Sequence, residues 1–154
     1  RNIVFVSHQE RNSSTEARIA AYNRFMLKKA LPPQVAIGVP AFFRLLAKQS
    51  PENRPTAIFT ICDSHALNLC RALRKSGLRV PEDISVIGFD NDPVSAQDPE
   101  FQLTTIAQAK TQIGKKAIEL LELLMSGECD PGIFMRYFVP CSLVVRKTTG
   151  RPDK

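Results

Sequence analysis

The sequence has no apolar run long enough to cross a bilayer, no CxxC pair and only two histidines in 154 residues. The first absence excludes a spanning helix, which needs about 20 apolar residues. No apolar signal segment opens the chain either. Cys62, Cys70, Cys129 and Cys141 lack zinc-ligand spacing, and His8 and His65 do not complete a recognised set, so no metal is expected. Reduced thiols packing as small apolar side chains, in a cytoplasmic protein, are the simplest account of the cysteines. GxGxxG, P-loop, nucleophile-elbow and HExxH patterns are all missing. Ser7-His8-Gln9 offers no acid cluster for a phospho-acceptor aspartate. These gaps argue against an enzyme and imply no cofactor.

What is present fits one globular domain with a sizeable core: 44% hydrophobic and 23% charged residues. The net charge is +6, most of it supplied by Arg1 to Ser50. Those charges are scattered over helix faces, as at Arg24, Lys28 and Lys29, with no helix-turn-helix, zinc finger or aromatic–basic platform. DNA contact is not expected from these residues. The chain opens on Arg1 rather than methionine, and Ile3 to Val6 already has strand character, so a fragment of a longer protein is expected.

The chain is organised around Pro55 to Asp92. Ala57 to Ile61 is a short apolar run suited to a strand buried on both faces. Asp63 or Ser64 offers an N-cap for a helix whose stripe is Ala66, Leu69, Cys70 and Leu73, with Gly77 as a left-handed C-cap. Pro81-Glu82-Asp83 turns the chain into a second apolar run, Ile84 to Phe89. A strand, helix and strand in quick succession imply a right-handed parallel crossover. Each strand runs into a carboxylate, Asp63 after the first and Asp90 after the second, where open parallel sheets bind ligands. Helix capping alone would explain Asp63; Asp90-Asn91-Asp92-Pro93 carries more polar groups than a turn needs.

Upstream, Ile3 to Val6 reads as the first strand, followed by a polar loop from Ser7 to Asn12. Ser13 with Glu16 has capping-box spacing, and Ala17, Ala21, Tyr22 and Phe25 share one helix face. Ser14 and Arg18 fall in the early turns of that helix, beside the presumed cleft. Capping would explain Ser14 and a solvated charge would explain Arg18, although a guanidinium can also hold two oxygens in a fixed fork. Gln34 to Val39 is a short strand, and Pro40 suits a first helical turn with Phe42, Phe43 and Leu46 beneath it. Downstream, Leu103 to Ile106 is extended, Thr111 to Ser126 is a long helix with Ile113, Ala117, Leu120, Leu121 and Leu124 on its apolar face, Arg136 to Val145 is a closing strand, and Val145 to Lys154 is a polar tail.

Val80-Pro81-Glu82-Asp83-Ile84-Ser85-Val86-Ile87-Gly88-Phe89-Asp90-Asn91, with Pro55-Thr56-Ala57-Ile58, Leu103-Thr104-Thr105-Ile106, Gln108 and Leu143 to Gly150, resembles the ligand-binding core of the LacI/GalR family of bacterial transcription regulators. The similarity covers nearly the whole chain. It implies an α/β fold: a parallel-sheet, three-layer α/β/α lobe of the periplasmic-binding-protein-like (type I) class. Residues 1–105 and 138–150 would form this lobe, and 106–137 a crossover and helix packing on a second lobe. The resemblance implies a small polar effector, possibly a sugar, contacted by Ser14, Arg18, Cys62, Asp63, Asp90 and Gln108. It further implies a homodimer, DNA contact only through an N-terminal helix-turn-helix that these residues do not include, and no membrane. Cys62 departs from the pattern, because many sugar-binding relatives have an amide there and a thiol is a poor substitute. No ring-stacking aromatic precedes Phe42 in the shortened region after Pro33. A periplasmic sugar-binding transport receptor of the same fold is the second reading. The apolar face of the helix from Thr111 to Ser126 leads to a further expectation, that the chain associates through it.

Overall fold

The computed structural model describes residues 2–10, 12–128, 130, 132 and 135–151. Strands β1 (Ile3–Ser7), β2 (Val35–Ile37), β3 (Ala57–Thr60), β4 (Ser85–Asp90), β5 (Thr104–Ala107) and β6 (Ser142–Val144) form one sheet in the order β2-β1-β3-β4-β5-β6. All neighbours are parallel except β6, which runs antiparallel to β5. Helices α1 (Ser13–Lys28), α2 (Val39–Ala47), α3 (Asp63–Lys75), α4 (Pro93–Ala96) and α5 (Lys110–Met125) connect them.

The side-chain alternation of the strands builds the layers. Val4 and Val6 of β1 join Ile58, Val86 and Leu103 in a core roofed by Phe42 of α2 and by Leu69, Cys70 and Leu73 of α3. Phe5 points the other way and joins Tyr22 and Met26 of α1 and Ile61 in a smaller core. Right-handed crossovers explain the partition. The step from β1 to β2 runs opposite to the steps from β2 to β3 and β3 to β4, so α1 lands on one face and α2 and α3 on the other. The sheet is the three-layer α/β arrangement expected.

Several local expectations are corrected. Asn12, not a Ser13–Glu16 box, caps α1: its side-chain oxygen accepts from the Thr15 N–H at 2.8 Å. The buried residues of α1 are Thr15, Tyr22 and Met26, while Phe25 is 54% exposed. Tyr22 fixes that register, because its hydroxyl donates to the Ile3 carbonyl (2.8 Å) and accepts from the Gln34 N–H (2.9 Å). Cys62 occupies the N-cap of α3 without a side-chain capping bond, so Asp63 is not the cap. The closing strand is only Ser142–Val144. The segment after it is no free tail: buried Thr148 donates from Oγ1 to the Val86 carbonyl and accepts from the Thr104 N–H, both at 2.8 Å. Of the thiols, Cys70 is buried, Cys62 half-buried and Cys141 exposed; Cys129 lies outside the described residues. Burial pushes the Cys70 thiol up to about 12, as expected for an inert core side chain.

Candidate effector site

The carboxyl ends of β1, β3, β4 and β5 open on one edge of the sheet, and the crossover direction reverses between β1 and β3. That switch point is where doubly wound sheets leave a crevice. The most ordered polar arrangement at this edge centres on Asp90, the last residue of β4. Gln108, just past β5, donates from Nε2 to Asp90 Oδ1 at 2.6 Å. Arg18, on α1, reaches over the sheet: Nη1 donates to the Ile61 carbonyl at 2.6 Å and Nη2 stands 3.9 Å from Asp90 Oδ1. Its guanidinium lies 3.8 Å from the centroid of the Phe89 ring, a cation–π contact. The Arg18 and Asp90 side chains keep 22% and 30% of their surface open, enough for both to meet a ligand.

The backbone beneath Asp90 is strained. Asp90 has φ +116° and Asn91 φ +49°, both in the region that L side chains avoid. Such conformations persist only when the surroundings hold them, and they cluster at functional sites. Here three contacts hold the turn. The Asn91 N–H donates to Thr105 Oγ1 at 3.3 Å, Arg146 Nη2 donates to Asn91 Oδ1 at 2.8 Å, and the Asp92 N–H donates to Asp63 Oδ2 at 2.8 Å.

Asp63 thus supports this turn through the Asp92 N–H. It is 1% exposed, and Thr105 Oγ1 donates to its Oδ1 at 2.5 Å. Burial pushes its carboxyl above the usual range; the Thr105 and Asp92 hydrogen bonds oppose that rise, and the neighbouring Asp90 and Asp92 carboxylates add to it. A side chain at Gly88 would run into Asp63 Oδ1 and Leu103, so the close approach of this carboxylate requires glycine there. Ser14 is exposed in the first turn of α1. Cys62 contacts Ser64 Oγ at 3.3 Å and His65 Nδ1 at 3.1 Å, and does not join the Asp90 group.

The structure thus brings Arg18, Asp90 and Gln108 together, places Asp63 behind them, and leaves Ser14 and Cys62 apart. Thr105 and Arg146 were missed by sequence reasoning. Both act through long-range contacts, and their only sequence signal is membership of the matching Leu103–Ile106 and Leu143–Gly150 segments. No group of three His, Cys, Asp or Glu side chains among the described residues is placed to hold a metal ion.

Residues 1–149 match the periplasmic binding protein-like domain family. The HTH-type transcriptional repressor PurR of Vibrio vulnificus is 46% identical over 98 residues, covering 63% of this chain and 28% of that protein. The PurR of Vibrio parahaemolyticus is 37% identical over 127 residues, 77% of this chain and 38% of that protein. A dimeric Lac repressor with an 11-residue C-terminal deletion superposes with a TM-score of 0.79 at 29% identity, covering 99% of this chain and 57% of that one. The transcriptional regulator CelR in complex with cellobiose gives a TM-score of 0.79 at 25% identity, covering 96% of this chain and 46% of that one. The chain thus spans between about a quarter and three-fifths of the length of these relatives. With the doubly wound sheet and the strained, buttressed turn at the end of β4, these similarities fix the classification: the chain belongs to the periplasmic binding protein-like domain family, on the branch of the LacI/GalR transcription regulators.

Proposed function

We propose that this chain is the ligand-sensing part of a LacI-type transcription regulator, in which a small polar effector, such as a sugar, is held at the carboxyl edge of the sheet. The observation that carries this reading is the convergence of Arg18 and Gln108 on Asp90, with Asp90 itself in a strained conformation. The three side chains offer a carboxylate acceptor, an amide and a cationic fork, a set that suits vicinal hydroxyls or a mixed hydroxyl and carbonyl group. Ser14 and Cys62 are further effector contacts in this reading, reached when a second lobe closes, and Asp63 acts by holding the Asp90 turn. Residues 1–105 and 138–150 form the main lobe, and 106–137 carry the crossover and a helix for the other lobe.

Function follows from a difference in binding. An effector that prefers the closed arrangement of two lobes shifts the population toward it by that preference alone. Closure then alters the relation between the subunits of a homodimer, and so the DNA affinity of a helix-turn-helix module elsewhere in the protein. No catalysis and no cofactor are part of this reading, and it places the protein in the cytoplasm. No helix among the described residues is long and apolar enough to cross a membrane. A transport receptor of the same fold would use a similar edge, but the curated relatives are repressors, which supports the regulator.

A thermal-shift screen of the full-length protein against mono- and disaccharides, cellobiose included, followed by calorimetry, tests the site. Asp90→Asn and Arg18→Ala are each expected to weaken effector binding by about 2–5 kcal/mol, the usual loss for one partner of a charge-assisted contact, and to leave effector-free DNA affinity unchanged. Unaltered effector affinity in both variants would exclude the assignment.

A further inference from the structure

A second group of side chains at the switch point is not used by the Asp90 arrangement. His8 follows β1, and His65 lies in the first turn of α3; their ring centroids are 5.4 Å apart. Both line a cavity of about 630 Å³ together with Gln9, Glu10 and Arg44. His8 Nδ1 is buried and has no hydrogen-bond partner among the described residues. His65 Nδ1 is engaged by Cys62 Sγ at 3.1 Å, and Nε2 makes no hydrogen bond among the described residues. Arg44, exposed in the last turn of α2, has no ion-pair or hydrogen-bond partner among the described residues.

The one acid in the cavity lining, Glu10, is exposed and forms no hydrogen bond or ion pair with either ring or with Arg44. A buried ring nitrogen without a partner costs free energy, and a native fold rarely leaves one unmatched without a ligand or water to meet it. Burial, and secondarily the nearness of His8, hold the His65 imidazole below its usual pKa. An anion held in the cavity beside the rings would oppose that shift: it accepts a hydrogen bond from the protonated His65 ring and offsets its positive charge. A cation would instead meet Arg44. The other charged and titratable neighbours are few. Glu10 is an exposed acid on the loop after β1, Cys62 is half-buried, and the Asp63 carboxylate is turned into Thr105 and the Asp92 N–H.

We propose that His8, His65 and Arg44 form a subsite for an acidic group, a carboxylate, sulfate or phosphate, that is bound together with a proton. Where that group is part of the effector, the proposal deepens the effector reading and rests on it; where it is a free anion, it stands apart from that reading.

Calorimetry of the full-length protein with sulfate tests this, because sulfate keeps its charge between about pH 6 and pH 8, the range in which histidine titrates. Affinity is expected to rise by up to about tenfold for each pH unit lowered through that range, the linkage for uptake of one proton. His65→Gln should flatten this dependence, Arg44→Ala should weaken sulfate binding at both ends of the range, and Glu10→Gln should strengthen it. Arg44 and Glu10 are exposed, so these two variants keep the test open if His65→Gln fails to fold. No sulfate binding at either pH, or binding with no pH dependence, overturns the proposal. Glucose 6-phosphate beside glucose separates the two sources. A sugar phosphate that binds more tightly than sulfate, with the excess lost in Asp90→Asn, places the acidic group on the effector. Equal binding of the two marks a free anion. Asp90→Asn is expected to leave sulfate binding itself unchanged, so loss of the effector contact and loss of the anion subsite are read separately.

Discussion

On the face roofed by α2 and α3, Val4, Val6, Ile58, Val86 and Leu103 of the sheet region are buried beneath Phe42, Leu69 and Leu73. On the other face, covered by α1, the buried core shrinks to Phe5, Tyr22, Met26 and Ile61, and an apolar cavity of about 590 Å³ opens beside Phe25, Phe59, Ile87, Phe89 and Ile106. The same strands, alternating the same kinds of residue, end up fully packed on one side and partly open on the other. The difference lies in how many helices the chain sends to each face, which the crossover direction sets. The first face holds the lobe together. Arg18, by contrast, reaches from the open face to the site, where it meets the Ile61 carbonyl and stands beside Asp90.

The comparison can be broken most sharply by removing one phenylalanine from each face. Phe42 is fully buried, so Phe42→Ala is expected to cost about 3–5 kcal/mol in urea unfolding. Phe25 is 54% exposed, and Phe25→Ala is expected to cost less than about 1 kcal/mol. Equal losses would mean that the second face is packed in solution. An effect between these two is expected at Gly88, where an added methyl must displace Asp63 or Leu103. Gly88→Ala should cost about 1–3 kcal/mol in the same assay, the range for overpacking. Because Asp63 holds the Asp92 N–H, that variant should also weaken effector binding, which calorimetry would detect.

The smallest change in stability is expected on α5. None of its residues is buried, and Ile118, Leu121 and Met125 are 57%, 51% and 79% exposed. We propose that this face is covered by association with a second copy of the chain. Leu121→Lys should alter the unfolding free energy by less than about 0.5 kcal/mol. It should nevertheless shift the molar mass of this chain toward monomer in light scattering across a concentration series. A monomer at every concentration, unchanged by the substitution, would remove the association through α5.

The central strand–helix–strand unit, the two carboxylates at the strand ends and the left-handed Gly77 that follows the C-cap Ser76 were legible in the sequence, because each rests on local chemistry. Runs of β-branched residues, a 3.6-residue stripe and a glycine at φ +85° carry their signal within a few residues. The pairing of Arg18 and Gln108 with Asp90 had partial support, from the positions of these residues next to predicted strand ends. The buried face of α1 and the length of β6 were misread, because Tyr22 answers to carbonyl and amide groups of Ile3 and Gln34, and β6 pairs only alongside Thr105 to Ala107 of β5.

By itself, then, the sequence determined the kinds of element and their order, through hydrophobic period and turn chemistry acting over short distances. Only the tertiary structure decided the roles of the polar residues. Asp63 could cap a helix or meet a ligand as far as local sequence went. In the fold it does not cap the helix, because its α-helix starts at a point where Thr105 and the Asp92 N–H, 42 and 29 residues away, converge on its oxygens. Hydrogen bonds are short-ranged and directional, so which groups meet is settled by the packing of distant strands and not by their spacing along the chain.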